Sequence, residues 1–467
     1  MNAPVSTSHK PAAAAPLPLL PGVPLLGNAL QFRDDTIGTL ERGWRTLGDV
    51  YQVRLGGRVL TVFSDPATIR DALVDNAEHI RRPDQINGGT LLSLALGDSV
   101  LTIDGDSWLA RRRLMQPVFH RQRIQAMGDT MLAAGDRMLA RWRAFEPDAP
   151  VDLAHEMKRV TLEIINQTMF GADVAADADT VGGAVDEMLT FLIGLTRTPL
   201  PLPLKIPTPA NRRFLSARSM LEAYLDRIIA ARRASATRRG DLLDMLLDAR
   251  DEETGLGMTD RQVRNEVATI FAAGHETTAH ALTWTWHALN HHPAVLQALR
   301  AELDAVLGDR ALTLADLPRL PYTLAVFEES LRLYPPVPMT VRKTYAPVTL
   351  GGHALPSGSL LAFALSNAHR HPRYWPNADA FAPERFLPEN KSTLRREAYL
   401  PFLTGGHMCV GASFALMEGQ LLLAQMARDF DVIERPGQRI KKDVAITMRP
   451  AHGLHVRIAP RRYSGHV

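Results

Sequence analysis

Cysteine occurs once in the 467 residues, at position 409. A lone thiol excludes an intramolecular disulfide framework, a cysteine-based zinc site and a protein-held iron–sulfur cluster, all of which need several thiolates. It also leaves one candidate for thiolate chemistry. A long apolar run is missing too. The stretch from Pro11 to Leu26 after Lys10 could be misread as a signal peptide or anchor, but Pro11, Pro16, Pro18, Pro21 and Pro24 interrupt it. No other window offers the ~20 uninterrupted apolar residues that span a bilayer. Neither charge dominates: the net charge is +3 and the charged fraction 22%. The pI of 9.0 gives little support to a nucleic-acid partner, because no Lys/Arg block interleaves with aromatics. No G-x-G-x-x-G lies between a strand and a helix to hold a nicotinamide or flavin. The expectation is a soluble cytoplasmic protein with no membrane anchor and no nucleic-acid partner. Residues 1–26 form a flexible Ala/Pro-rich leader to a single domain over 27–467.

The hydrophobic fraction of 46% is ample for a large core. Val50–Leu55 and Val59–Phe63 are β-type runs around Gly56-Gly57, a hairpin signal. From Pro66 to about Leu333, Leu, Ala, Met and Arg recur at helical spacing. Pro199 to Pro209, with five prolines, must be a loop between helices. Beyond Pro335 short Val/Thr/Gly/Pro runs take over, and helix returns after Cys409. The fold class is mainly α with a small β region. One helix stands out: Thr259 and Gln262 make a capping-box pattern at its start, and His292-Pro293 stops it. At roughly thirty residues it would span about 45 Å, and with apolar residues on most sides it should lie in the core.

Four groups of residues carry chemistry. Around the cysteine the sequence reads Phe402-Leu403-Thr404-Gly405-Gly406-His407-Met408-Cys409-Val410-Gly411. The glycines let backbone approach a flat ligand and free amides to point at the sulfur; taken alone, a buried hydrophobe is the commoner fate of a lone cysteine. The long helix carries Ala273-Gly274-His275-Glu276-Thr277-Thr278, small residues followed by an acid and a hydroxyl. That pair could relay protons; a Thr bonded to its i−4 carbonyl and a Glu in a salt bridge is the alternative. Glu329-Ser330-Leu331-Arg332 places an acid and a base three residues apart before Pro335-Pro336, which on a solvated face is worth ~0.5 kcal/mol or less. Trp108 and Arg112 put two donors on one helix face, suited to a carboxylate. Arg111 and Arg113 read as a solvated patch, or as a dock for an acidic partner.

In order and spacing these motifs, which span Trp108 to Gly411, resemble the signature of the cytochrome P450 family. The resemblance implies the P450 fold, with the long central helix crossing a haem b. Cys409 would be the axial ligand of the iron, and Glu276 and Thr277 the oxygen-activating acid–alcohol pair. Trp108, Arg112, Arg342 and His407 would hold the propionates, while Ala273, Phe402 and Gly411 contact the macrocycle. Glu329, Arg332 and Arg385 would form a buried structural lock. Two positions depart from the common pattern: His407 where Arg is usual, and Leu403 where a small or polar residue is usual. The latter puts the loop's packing in question.

The implied activity is insertion of one atom of dioxygen into a C–H or C=C bond of an apolar small molecule such as a fatty acid or terpenoid. Electrons would come from NAD(P)H through a separate ferredoxin or flavodoxin with its reductase. A haem-thiolate isomerase or dehydratase, a peroxide-driven hydroxylase, or a non-catalytic haem sensor with His275 as second ligand are the alternatives. Pocket segments implied by the resemblance are Gln85 to Val100, Pro199 to Pro209, Ala273, and Val337 with Pro338 through to Thr340.

Overall fold

The prolines of the amino-terminal stretch do not leave all of it free. Leu20 is buried, its amide donates to Gln52 O at 2.8 Å, and Gln52 N donates to Pro18 O at 2.7 Å. Within the expected leader over 1–26, Pro18 to Leu20 thus pairs along the edge of the sheet, as extended proline backbone can, while residues 21–26 are exposed. The structure, a computed structural model, describes residues 16–83, 92–146, 148–171, 178–197, 202–444 and 446–461.

The hairpin forms as expected. β1 (Val50–Leu55) pairs antiparallel with β2 (Arg58–Phe63), from Val50 opposite Phe63 to Leu55 opposite Arg58. Gly56 makes the reversal at φ 61°. A five-stranded sheet is completed by β3 (Ile80–Arg81), β4 (Thr340–Thr344) and β5 (Leu360–Phe363), in the order β1-β2-β5-β4-β3. Only β2 and β5 run parallel. The rest is mainly helix, and no helix among the described residues is long and apolar enough to cross a membrane.

Five helices position the site: α1 (Gly105–Met115), α2 (Leu153–Phe170), α3 (Asp260–His291), α4 (Pro321–Leu333) and α5 (Ala412–Asp429). α3 is the long helix, 32 residues or ~48 Å. Both arms of its Thr259–Gln262 capping box form, and it ends before Pro293. It is buried on nearly every side, with Val263, Phe271, Leu282, Trp284 and Trp286 in the core. α2 packs along it, and the Thr161 hydroxyl donates to His275 O at 2.9 Å, a side-chain tie between the two backbones.

The run Arg111-Arg112-Arg113 is not a solvated patch. Arg111 is 7% exposed and its Nη1 lies 2.6 Å from Oε1 of Glu266, which is fully buried on α3. The amide of Val100 donates to the same carboxylate at 2.9 Å. Arg113 pairs with Glu253. Helical spacing turned Arg111 toward the core, where a charge survives only with such a partner.

α5 carries another buried acid. Glu418 is fully buried, and neither carboxyl oxygen has a hydrogen bond of good geometry. Burial pushes its pKa up to about 8, the Thr278 hydroxyl on α3 acting only weakly the other way. The folded chain thus holds a proton that the unfolded chain releases near pH 4.5, so stability falls as pH rises from about 4.5 to about 8. Glu418→Gln keeps the shape of the protonated acid and loses this dependence. The gap in melting temperature between Glu418→Gln and wild type should widen steadily from pH 5.5 to pH 8; a constant gap would show that Glu418 ionises freely in the fold.

Candidate functional site

The loop from Phe402 to Gly411 closes on itself. Cys409 N donates to Phe402 O at 2.9 Å, and Met408 N to Gly405 O at 3.1 Å. Gly405 sits at φ 73°, and a Cβ there would fall 2.2 Å from Leu73 O, so no other residue fits. Leu403 adopts φ 63°, a left-handed backbone that costs a leucine ~1–2 kcal/mol. Its side chain packs beside the cluster of Leu73, Phe363 and Leu400, which offsets part of that cost and answers the packing question. Cys409 keeps accessible surface although protein crowds it, as a side chain facing an interior space does. Burial pushes its thiol pKa up, while the Gly411 N–H aimed at the sulfur and the Arg112 charge favour the thiolate.

Ala273 is the other open position. It is exposed at the middle of a helix whose neighbours Phe271, Ala272, His275 and Glu276 are all buried. Thr277, one turn on, shares that open face. Its hydroxyl donates to Ala273 O at 2.8 Å, which leaves its oxygen lone pairs as acceptors. Glu276 is buried and makes no ion pair or hydrogen bond with another described residue. Gly274 serves helix packing instead, since a Cβ there would meet Ile165 Cδ1 at 3.0 Å. His275 is buried with Nδ1 on Phe271 O at 2.8 Å. Two residues round the helix from Ala273, it faces away from the opening and is no second metal ligand there.

The third side of the space is cationic. Trp108 and Arg112 on α1 share a face as expected. Arg112 has no ion pair or hydrogen bond with another described residue. Arg342 is buried on β4, with Nη1 on Thr340 Oγ1 at 2.7 Å and on Val341 O at 2.8 Å. Burial and the neighbouring Arg82 push its pKa down to about 10. Trp108 stacks on His407 with ring centroids 4.1 Å apart.

His407 differs from the expectation of a free donor. Arg82 Nη2 donates to its Nδ1 at 3.1 Å, and Nε2 faces Asp104 Oδ1 at 3.5 Å. An arginine only donates, so Nδ1 is the acceptor and the Nε2–H tautomer is present. Both nitrogens are taken, and His407 orients Arg82. Asp104, despite its burial, is held well below the usual carboxylate range by hydrogen bonds from His407 and from the backbone amides of Arg82 and Gly105. Arg82 and Arg342 thus share the Asp104 carboxylate, and Arg112 adds a further positive charge near the Cys409 sulfur.

Behind the loop lies the ion-pair lock. Arg332 Nε and Nη2 meet Glu329 Oε2 and Oε1 at 2.6 and 2.7 Å, both residues fully buried. Arg332 Nη1 donates to His369 O and Ala378 O, and Nη2 to Ala380 O, so all five N–H groups are used. Arg385 is the third member, with Nε 3.5 Å from Glu329 Oε1. His369 carries the lock to the loop: Nδ1 lies 3.0 Å from Arg332 O, and Nε2 accepts from Leu400 N at 2.8 Å.

Of the implied pocket, Val337 is 39% exposed. Pro338 is buried and its carbonyl accepts from Ser366 N at 2.9 Å, so it supports the wall without lining it. Residues 85–91 and 199–201 of the named segments lie outside the described residues. Sequence reasoning missed Arg82, Asp104, Glu266 and His369. Only the Arg81-Arg82 pair before Pro83 offered a signal, as cations in a loop.

A flat, dianionic tetrapyrrole fits these residues. Cys409 would ligate its metal, and Arg82, Arg112 and Arg342 would hold its two carboxylates. The comparisons agree. A family model described as "Cytochrome P450" matches residues 17–455. The chain is 36% identical over 428 residues to "Cyclooctatin synthase" of Streptomyces melanosporofaciens, covering 90% of each. It is 34% identical over 396 residues to that organism's "Cyclooctat-9-en-7-ol 5-monooxygenase", covering 84% of each. With "Pentalenene oxygenase" of Streptomyces avermitilis it shares 31% over 443 residues, 94% of this chain and 96% of that one. The crystal structure of the cytochrome P450DA heme domain superposes with a TM-score of 0.88 at 26% identity, covering 96% of this chain and 98% of that one.

Arg332→Lys tests the lock. Lysine offers three donors from a point charge and cannot fill five positions in a plane. The variant should lose about 3–5 kcal/mol in chemical denaturation and most of its bound haem; near-wild-type stability would show that the pair is dispensable.

Proposed function

The chain belongs to the cytochrome P450 family and is a haem-thiolate monooxygenase, and we propose that its substrate is an apolar cyclic terpenoid. The observation that carries the substrate class is the set of relatives named for cyclic alkenes and their alcohols, matched over most of their length. The open face at Ala273 and the half-exposed Val337 are in keeping with an apolar guest. Cys409 would ligate the haem iron and Arg112, Arg342 and Arg82 would hold the propionates, with Trp108 and His407 positioning them. Haem held there supplies dioxygen binding and activation, and an axial thiolate favours O–O cleavage.

The chain's own part is positioning and proton management. Thr277 Oγ1, its proton given to Ala273 O, keeps its lone pairs free and would accept a hydrogen bond from a proton-bearing group such as water in the opening. Glu276 is the buried acid next in sequence, with no ion pair among the described residues. The apolar neighbours of α3 exclude water from the back of the relay. Electrons reach this chain from a separate ferredoxin or flavodoxin with its NAD(P)H-dependent reductase. We place the protein in the cytoplasm, where the lone thiol stays reduced.

Two measurements test this reading. Given surrogate ferredoxin and reductase, a cyclic terpene and labelled dioxygen, the product should carry the label, and NADPH without the partner should give essentially no turnover. Label arriving from water or peroxide, or full activity without a partner, would overturn it. Thr277→Ala should lower product formed per NADPH and raise hydrogen peroxide at unchanged substrate-induced spectral shift. Unchanged coupling would remove Thr277 from the relay.

A further inference from the structure

At the far end of α3, away from Ala273, a second group of ligating side chains converges. His287 and His291 lie one turn apart in the last two turns, and Glu434 meets them from β6 (Phe430–Glu434). One potential ligand atom from each lies within 4.8 Å of the others. His287 Nδ1 is 3.0 Å from Glu434 Oε2, and His291 Nδ1 is 3.8 Å from the same oxygen.

Three features make this more than a chance meeting. Glu434 is fixed on the helix by Asn290, whose Oδ1 accepts from Glu434 N at 2.8 Å while its Nδ2 donates to Trp286 O and Val432 O. The Glu434 backbone is therefore held against the helix, which brings its carboxylate to the two histidines. Second, Nδ1 of His291 lies 2.8 Å from His287 O; with the proton on Nδ1, Nε2 carries the free lone pair. Third, Glu434 has no arginine or lysine ion pair among the described residues. The other comparable group, Asp49, Asp65 and His371, is already neutralised by Arg373 at 3.4 and 3.2 Å.

We propose that His287, His291 and Glu434 bind a first-row divalent cation of the zinc type, with water in the fourth position. Two nitrogens and a carboxylate oxygen suit that ion, with bonds of about 2.0–2.2 Å, whereas magnesium and calcium prefer oxygen alone. Half-exposed His291 can rotate the short way required. The negative end of the α3 dipole favours a cation there. Among the described residues, Lys442, stacked over Tyr334, is a cation near His287. The bound ion would clamp the end of the helix to the β6 strand. The proposal does not depend on the haem site.

The test uses the haem-loaded full chain, stripped with a chelator and titrated with zinc ion by calorimetry. One equivalent should bind saturably and raise the melting temperature. His291→Ala, at an exposed position, and Glu434→Gln should each abolish that step, and Asn290→Ala should weaken it by about tenfold or more. His155→Ala, an exposed histidine outside the group, should change nothing. Absence of a saturable step in wild type, or its survival in both His291→Ala and Glu434→Gln, would overturn the proposal.

Discussion

Arg332 is the constraint on which the rest of the molecule depends. A guanidinium with no exposure to water must find five acceptors or impose a cost of several kcal/mol. Here it finds two in Glu329 and three in the backbone at 369, 378 and 380. Those carbonyls belong to a segment with little regular structure of its own, so the charge organises the chain around it. His369 then passes the order on. Burial and the Arg332 charge push its pKa down to about 3, which keeps Nε2 an acceptor for Leu400 N. Leu400 in turn accepts from Leu403 N, at the start of the loop that carries Cys409. A helix residue thus fixes a sulfur far along the sequence through four hydrogen bonds.

The opposite side of the site works by imbalance. The lock is electrically satisfied and rigid, but among the described residues Arg82 and Arg342 have only Asp104 between them, and Arg112 adds a positive charge near Cys409. Like charges brought together without anions destabilise a fold, and such an arrangement is retained where a ligand supplies the missing charge. The two sides divide the labour between them: one holds geometry, the other holds a dianion. α3 closes the space with a face of Ala273 and Thr277. Its remaining faces are committed elsewhere, through Glu266 to Arg111, through His275 O to Thr161, and through Asn290 to β6.

How much of this could be read from the sequence follows from the spacing of the partners. Cys409 with its glycines, Glu276 with Thr277, Glu329 with Arg332 and Trp108 with Arg112 are each contained within a few residues, and the local pattern displays them. The structure sets Trp108 and Arg112 beside the Cys409 loop and ties Glu329 and Arg332 to that loop through His369. The hairpin, the capped long helix and the helix after Cys409 were legible for the same reason. Arg82 and His407 lie 325 residues apart, and Arg111 and Glu266 lie 155 apart. No periodicity links such pairs, so Arg111 reads as a surface charge although it is buried. The burial of Leu20 and Pro338 depends likewise on distant partners, Gln52 and Ser366.

Leu403 shows which level of structure decides the shape of the thiolate loop. Its backbone is left-handed, where local sterics alone would not place a leucine. Local preference would relax the turn and move the Phe402 carbonyl, to which Cys409 N is bonded. That this does not happen means the loop is held from outside, by Leu400 on His369 and by the packing of Leu403 beside Leu73 and Phe363. Gly405, pressed against Leu73 O, completes the same contact surface. The position of the sulfur is therefore a tertiary property. It rests on the sheet in front and on the Arg332 lock behind, and the loop's own sequence contributes mainly the glycines that let both approach.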